Sequence, residues 1–304
     1  MSLTFPGNAH ARMYRSAHRW HPQMLNLLAW WPSMALTVKN TTATACFLNA
    51  AYPGPAMESD ARWDLETGTA AGFQRGPTLA HDPVIGPASY FAGNNNWLRT
   101  LSGSLDVTAF TLAAWVRPNF TNGTSLQSTA KIICHPTSDT TAADPFVYYS
   151  MGGTGASPAK FVVSISTGIA GSLAEVASTT SVSTGALFHV VSTYDGNALK
   201  IYINGILENT STPAITLGSG TTRTYMGSFC NTLNFGSNWW IGTIGDTRIY
   251  NRALNATEVW QLYAPESRWA LYQGPLGVLN PVAMKIIASA AASAGGAYRF
   301  FFRR

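Results

Sequence analysis

The 304-residue sequence predicts an all-β protein, a two-sheet antiparallel β-sandwich with extended N- and C-terminal arms. Three observations predict it. Many short segments alternate apolar and polar residues with a period of two, separated by turn residues and without intervening amphipathic helices. Charged residues make up only 11% of the chain, well under the roughly 25% usual for soluble domains. Ser, Thr, Asn and Gly fill the polar positions instead, as on extracellular or virion-type β surfaces. The third observation is "YDGNALKIYINGILENT", Tyr194 to Thr210, a meander with two turn dipeptides around one strand. Asp195-Gly196 and Asn204-Gly205 suit type I′ hairpin turns, which need positive φ at both central residues. Between them Leu199, Ile201 and Ile203 alternate with Lys200, Tyr202 and Asn204, so one face is buried.

The remaining elements come in chain order. "NLLAWWPS" (Asn26 to Ser33) reads as a buried strand closed by Pro32, and a loop-rich stretch runs from about Thr37 to Pro87. "ASYFAGNNNWLRTLS" holds two short strands around Gly93-Asn94. "AFTLAAWVRPN" puts Phe110, Leu112 and Ala114 on one face and Thr111, Ala113 and Trp115 on the other. "KIICH", "PFVYYSMGG", "KFVVSIST", "LAEVASTT" and "LFHVVSTY" continue the series, which "RTYMGSF" and "NWWIGTIGDTRIYN" close. A short helix is expected in "NATEVWQLY", with Asn255 as N-cap, Glu258 at the third position, and Val259, Leu262 and Tyr263 on one face. No second domain has to begin between residues 25 and 264. The expected organisation is a basic arm 1–24, a sandwich 25–264 and a basic, aromatic arm 265–304.

Charge is concentrated at the ends. Arg12, Arg15 and Arg19 in residues 1–24, and Arg268, Lys285, Arg299, Arg303 and Arg304 in residues 267–304, stand without a single acid. These eight cations exceed the net charge of +5, so the body between them is net negative. Cys46, Cys134 and Cys230 are far apart and lack C-x-x-C spacing, which points away from a metal cluster, leaves room for at most one intramolecular disulfide and favours three buried free thiols. Residues 1–24 have no apolar h-region, so no signal peptide is expected. "MLNLLAWWPSMAL" and "PVAMKIIASAAASAGGAY" are too short or too broken to span a bilayer, and no membrane insertion is expected.

Taken together, "NLLAWWPS", "GPASYFAGNNNWLRT", "FTLAAWVRPN", "LFHVVSTYDGNALKIYINGIL" and "GTIGDTRIYNRALNATEVWQLY" resemble, in order, the concanavalin A-like lectin/glucanase superfamily in its laminin G-like jelly-roll branch. The resemblance covers residues 25–264 and implies a jelly roll with one curved, concave face. The fold leaves function open, because lectins, glycosidases, adhesion modules and virion parts share it.

Each candidate chemistry makes its own demand on the residues. A retaining glycosidase needs two carboxylates about 5 Å apart, and the glucanase branch carries them as E-x-D-x-E on one strand. The nearest match, "ESDARWDLE", offers Glu58 and Asp60 followed by Arg62 in a loop-like segment, so no catalytic residue and no enzyme activity is expected. His189 reads as a packed strand residue. Related jelly rolls bind calcium through an aspartate in a Gly-x-Ile-Asp pattern. Here "GTIGD" puts Gly245 at that place and Asp246 one residue later, on the opposite face, suited to pairing with an arginine. Asp195 and Asp246 are thus weak calcium candidates, and no cofactor is expected. A sugar-stacking platform would use Asn238, Trp239, Trp240 and Tyr149, with at most one of the two tryptophans packed in the core by simple alternation.

The ends stand out more. "SRWALYQGPLGVLNP" and the closing "YRFFFRR" are apolar, aromatic and free of acids, an aggregation liability if left exposed. Burial against another subunit gives them a role, with Arg12, Arg15, Arg19, Trp20, Trp269, Tyr272, Phe300, Phe301, Phe302, Arg303 and Arg304 as contacts. The Trp/Leu-Tyr-x-x-Pro-Leu tail resembles those of phage-encoded structural proteins. The expectation is a non-enzymatic virion protein, a capsid decoration or other surface-displayed jelly roll, whose partners are capsid or other virion proteins and copies of itself. The alternative is a secreted or surface lectin-like module that binds cell-surface glycans. Nucleic acid is not an expected partner.

Overall fold

The computed structural model describes residues 23, 25–31, 36–38, 45–47, 65–67, 77–93, 97–100, 107–119, 130–137, 147–153, 159–169, 172–220, 222–228 and 239–268. In chain order the strands are β1 (Leu27–Trp31), β2 (Leu36–Val38), β3 (Ala45–Phe47), β4 (Leu65–Thr67), β5 (Thr78–Asp82) and β6 (Gly86–Ala92). Then come β7 (Leu98–Thr100), β8 (Phe110–Pro118), β9 (Lys131–Pro136), β10 (Val147–Gly153), β11 (Lys160–Ile165) and β12 (Ala174–Ser181). The series ends with β13 (Phe188–Tyr194), β14 (Leu199–Ile203), β15 (Ile206–Ser211), β16 (Tyr225–Met226), β17 (Ile241–Tyr250) and helix α1 (Ala256–Tyr263).

The strands form two antiparallel sheets. One runs β15-β14-β13-β8-β17-β6-β5, the other β12-β11-β10-β9-β16-β7-β4-β3-β2. Strand β17 is long enough to take β6 beside its first half and β1 beside its second, from Leu27 opposite Tyr250 to Trp31 opposite Thr247. The apolar faces meet in one core, in which Leu112, Val190, Ile201 and Ile249 of the first sheet pack with Ile133, Val163, Phe161 and Met226 of the second. The rings of Phe161 and Phe188 meet edge-on across the sheets at 5.2 Å. Each such fully buried side chain contributes about 1.5–3 kcal/mol. At the rim, the Glu208 carboxylate of β15 accepts from the backbone N–H groups of Thr179 and Thr180 of β12, tying two edge strands together.

The predicted alternation in β8 holds, yet both its faces are buried. Phe110, Leu112 and Ala114 enter the inter-sheet core, while Ala113 and Trp115 lie under a second apolar layer on the outer face of the first sheet. Helix α1 supplies that layer through Val259 and Leu262, which pack with Trp30, Val191, Tyr202 and Tyr250. Its start matches expectation. Glu258 N–H donates to Asn255 Oδ1 at 3.0 Å, and Asn255 N–H donates to Glu258 Oε2 at 2.9 Å.

Two expectations are corrected. The Asn204-Gly205 turn has φ of 51° and 80°, as type I′ requires. The other turn is different, since Tyr194 pairs with Leu199 and four residues lie between them. There Asp195 Oδ1 accepts from the N–H groups of Asn197 (2.9 Å) and Ala198 (2.7 Å), so the aspartate side chain organises the loop. The stretch from Thr37 to Pro87 is not all loop. It contains β3, β4 and β5, and β5 forms a hairpin with β6 from Thr78 opposite Tyr90 to Asp82 opposite Gly86. Its sequence, "TLAHD", is too short and polar to show a period. Asp82 secures the turn, accepting from Val84 N–H, Ile85 N–H and Arg117 Nε.

Candidate functional site

A buried polar cluster is built on a bulge in β17. Gly245 lies opposite Trp115 and Arg248 opposite Ala113, so two residues of β17 face one of β8. Asp246 takes the bulge position with φ of 44°. The extra residue resets the alternation and brings Asp246 and Arg248 to the same outer face. Arg248 Nη2 donates to Asp246 Oδ2 at 2.8 Å, and Trp30 Nε1 donates to Asp246 Oδ1 at 2.7 Å. The ion pair is almost fully withdrawn from water, with side-chain exposures of 1% and 6%. A buried guanidinium is tolerated when its donors find partners. Besides a second bond to the aspartate, from Nε to Asp246 Oδ1 at 3.4 Å, Arg248 makes two to the ends of the described chain. Nη1 donates to Gln23 Oε1 and Nη2 to the Arg268 carbonyl, both at 3.2 Å. Gln23 Nε2 in turn donates to the Gln261 carbonyl at 3.4 Å. The roots of both arms are thus held by one side chain.

Beside this pair lies an aromatic stack. The Trp115 ring sits 4.8 Å from His189 and 5.7 Å from Tyr263, and the Arg268 guanidinium lies 5.3 Å from the Trp115 ring centre. Burial, reinforced by the charges of Arg248 and Arg268, pushes the His189 pKa down to about 3. His189 is therefore a neutral packing residue at physiological pH, as its strand position suggested. Its backbone N–H donates to Asn204 Oδ1 at 2.9 Å, fixing the turn below helix α1.

The remaining candidates fall elsewhere. Trp239 and Trp240 do point to opposite faces, but both are buried, at 5% and 0% exposure. Trp240 enters the inter-sheet core, whereas Trp239 packs with Trp97, Cys134 and Tyr225 in a separate cluster. Alternation holds and only one of the two tryptophans, Trp240, enters the inter-sheet core, but Trp239 is covered on the other face as well. Neither ring is open to a sugar. Tyr149 pairs with Ile165 and His135 through its backbone; its side chain, Asn238, Glu58, Asp60, Cys46 Sγ and Cys230 lie outside the described residues. So do all eleven arm contacts from Arg12 to Trp20 and from Trp269 to Arg304. Cys134 carries a buried thiol.

As a calcium site the two aspartates fit poorly. Asp246 is committed to Arg248 and Trp30, and Asp195 to its own loop, whose N–H groups hold its carboxyl below the usual range. Among the described residues no group of three or more His, Cys, Asp or Glu side chains is placed to hold a metal ion. Nor, among them, is any helix long and apolar enough to cross a membrane. Sequence reasoning paired Asp246 with an arginine but missed Gln23 and the Arg268 carbonyl. These lie 225 and 20 residues from Arg248 and carry no local signal.

A sandwich of two antiparallel sheets with a capping helix defines a jelly-roll module. A laminin G-type family model, of the concanavalin A-like lectin/glucanases superfamily, matches residues 92–260, more than half of the chain. The chain belongs to that superfamily. No curated protein matches it in sequence. Among solved structures it is similar to the binding domain of paraclostridial mosquitocidal protein 1, at 14% identity and a TM-score of 0.50, over 79% of this chain and 52% of that one. It is also similar to the receptor-binding domain of botulinum neurotoxin type G, at 15% identity and TM-score 0.50, over 78% and 51% of the two chains. A third similar structure is of botulinum neurotoxin type C, whose cell entry depends on interaction with two ganglioside molecules. That match has 13% identity and TM-score 0.50 over 79% and 51%. The chain spans about half the length of these binding domains, and the likeness is one of fold.

Proposed function

We propose that this chain is a non-enzymatic virion structural protein, a jelly roll that decorates a capsid or other shell and is fixed to it by residues 1–24 and 265–304. The observation that carries the proposal is the tie at Arg248, which holds Gln23 and Arg268 within one hydrogen bond of the same guanidinium. Both arms start from a single rigid point on the outer face of the first sheet. A shell could then grip the two basic ends together while the second sheet faces away. Anchoring would combine burial of the apolar arm residues with Arg contacts to acidic shell patches, multiplied by symmetric copies. Mass spectrometry of density-purified particles from the source tests this. The chain is expected at a fixed stoichiometry to the major shell protein. Its absence from particles, with recovery from the medium or cell surface, overturns the reading.

A second reading, a surface or extracellular glycan-binding module, draws support from the fold neighbours, among them a toxin whose cell entry depends on gangliosides. With Trp239 and Trp240 buried it needs stacking residues other than those two rings. A glycan array with the full chain decides it, and absence of binding at millimolar sugar removes it.

A further inference from the structure

The network at Arg248 leaves one buried polar atom over. Tyr250, two residues further along β17, is fully buried, and its hydroxyl has no hydrogen-bond partner among the described residues. Burial raises its pKa, and the charge of Arg248 works against that rise. A guanidinium only donates, so Arg248 cannot take the hydroxyl proton. That proton needs an acceptor, because a buried hydroxyl left unmet is costly and correspondingly rare.

Tyr250 also lines a small cavity between β17 and helix α1. Gln23, Arg252, Glu258 and Gln261 supply the rest of its polar wall, and Leu254 and Leu262 its apolar wall. The cavity offers about 10 Å³ to the centre of a water molecule, room for one and too little for a sugar or a phosphate. Most of the polar wall is already committed. Glu258 Oε2 accepts from Arg252 Nη1 and from Asn255 N–H, both at 2.9 Å, while Oε1 pairs with Arg252 Nη2 at 2.7 Å. A carboxylate oxygen takes two donors, so Oε1 can accept once more. Gln23 Nε2 reaches the Gln261 and Ser267 carbonyls at 3.4 and 3.5 Å, beyond the usual N–H···O range.

We propose that this cavity binds one ordered water, which accepts from the Tyr250 hydroxyl and donates to an oxygen of Glu258 or Gln261 on helix α1. Gln23, in the same wall, supplies a further donor. The water links β17, the helix and the root of the N-terminal arm, a second tie beside the direct one at Arg248. The inference is independent of the shell-anchoring reading, because it concerns one cavity within one molecule.

A high-resolution crystal structure of the full-length chain tests it. One ordered water is expected within about 3.2 Å of both Tyr250 Oη and an oxygen of Glu258 or Gln261. In solution, that water is expected to give nuclear Overhauser contacts to the Tyr250 ring protons. In full-length Tyr250→Phe, which keeps the ring, the density and the contacts are expected to vanish while the amides of β8 and β17 stay protected. The melting midpoint of this variant is expected to fall by a few degrees. A cavity without water density, a Tyr250 hydroxyl bonded directly to a protein acceptor, or the same water retained in Tyr250→Phe overturns the proposal. A midpoint that rises in Tyr250→Phe also overturns it, because removing a bare buried hydroxyl relieves its cost.

Discussion

Arg248 donates to Asp246 at 2.8 Å inside the protein, and the same guanidinium holds the backbone of Arg268 at 3.2 Å. The ion pair that fixes the bulge of β17 therefore also fixes the point where the C-terminal arm begins. A change at Arg248 has to show in both places.

Arg248→Met is expected to destabilise the domain by about 3–5 kcal/mol, because Asp246 then keeps a buried charge without its counter-ion. Urea denaturation measures this. The double variant Arg248→Met, Asp246→Leu removes both charges and is expected to recover a large part of the loss. With the single variant Asp246→Leu completing the cycle, a double-variant loss equal to the sum of the two single losses would show that the pair is not coupled.

The Asn204-Gly205 turn predicts a contrast between two glycines. Gly205 and Gly86 have similar positive φ, 80° and 77°, but a Cβ meets Trp260 at Gly205 and nothing within 4 Å at Gly86. Alanine at either position carries the backbone cost of about 1–2 kcal/mol. Gly205→Ala is expected to lose more, since the helix must also shift. Thermal melts of the two variants read the difference directly.

His189 gives the pH dependence a sign. Its pKa is 6.5 when free and about 3 when folded, so the unfolded chain binds the extra proton first. The stability contribution is complete above pH 6.5 and is lost as the pH falls toward 3, at up to about 1.4 kcal/mol per unit. Glu258 and Asp82, held below their ordinary values in the folded protein, add losses in the same direction, but only in more acid solution. His189→Phe keeps the stack between Trp115 and Tyr263 and is expected to flatten the profile between pH 6.5 and 4.5. An unchanged slope there would mean that His189 does not titrate between the two states.

The features legible from sequence are those written in neighbouring residues. The capping box at Asn255 and Glu258 needs only a spacing of three, and the β14 face needs only a period of two. Both appear as expected. The bulge at Asp246 changes which face every later residue of β17 meets, and two partners of Arg248 come from the far ends of the described chain. No window on the sequence contains them. Trp239 illustrates a different limit. Alternation assigns its face correctly, but whether that face is covered depends on Trp97, Cys134 and Tyr225, which arrive from three other segments.

Trimming the arms separates folding from attachment. A chain of residues 23–268 keeps Gln23, Arg268 and every bond of the Arg248 network, and is expected to unfold cooperatively with the parent's midpoint to within a few degrees. A chain ending at Ala264 loses the Arg268 carbonyl and the cation over Trp115, and is expected to melt lower.

The most direct measurement is co-sedimentation of the full-length chain and of residues 23–268 with source particles stripped of this protein. Anchoring by the arms predicts that the full chain pellets with the particles while the folded, trimmed chain stays in the supernatant. Equal pelleting of the two would contradict it and place the attachment on the sandwich itself.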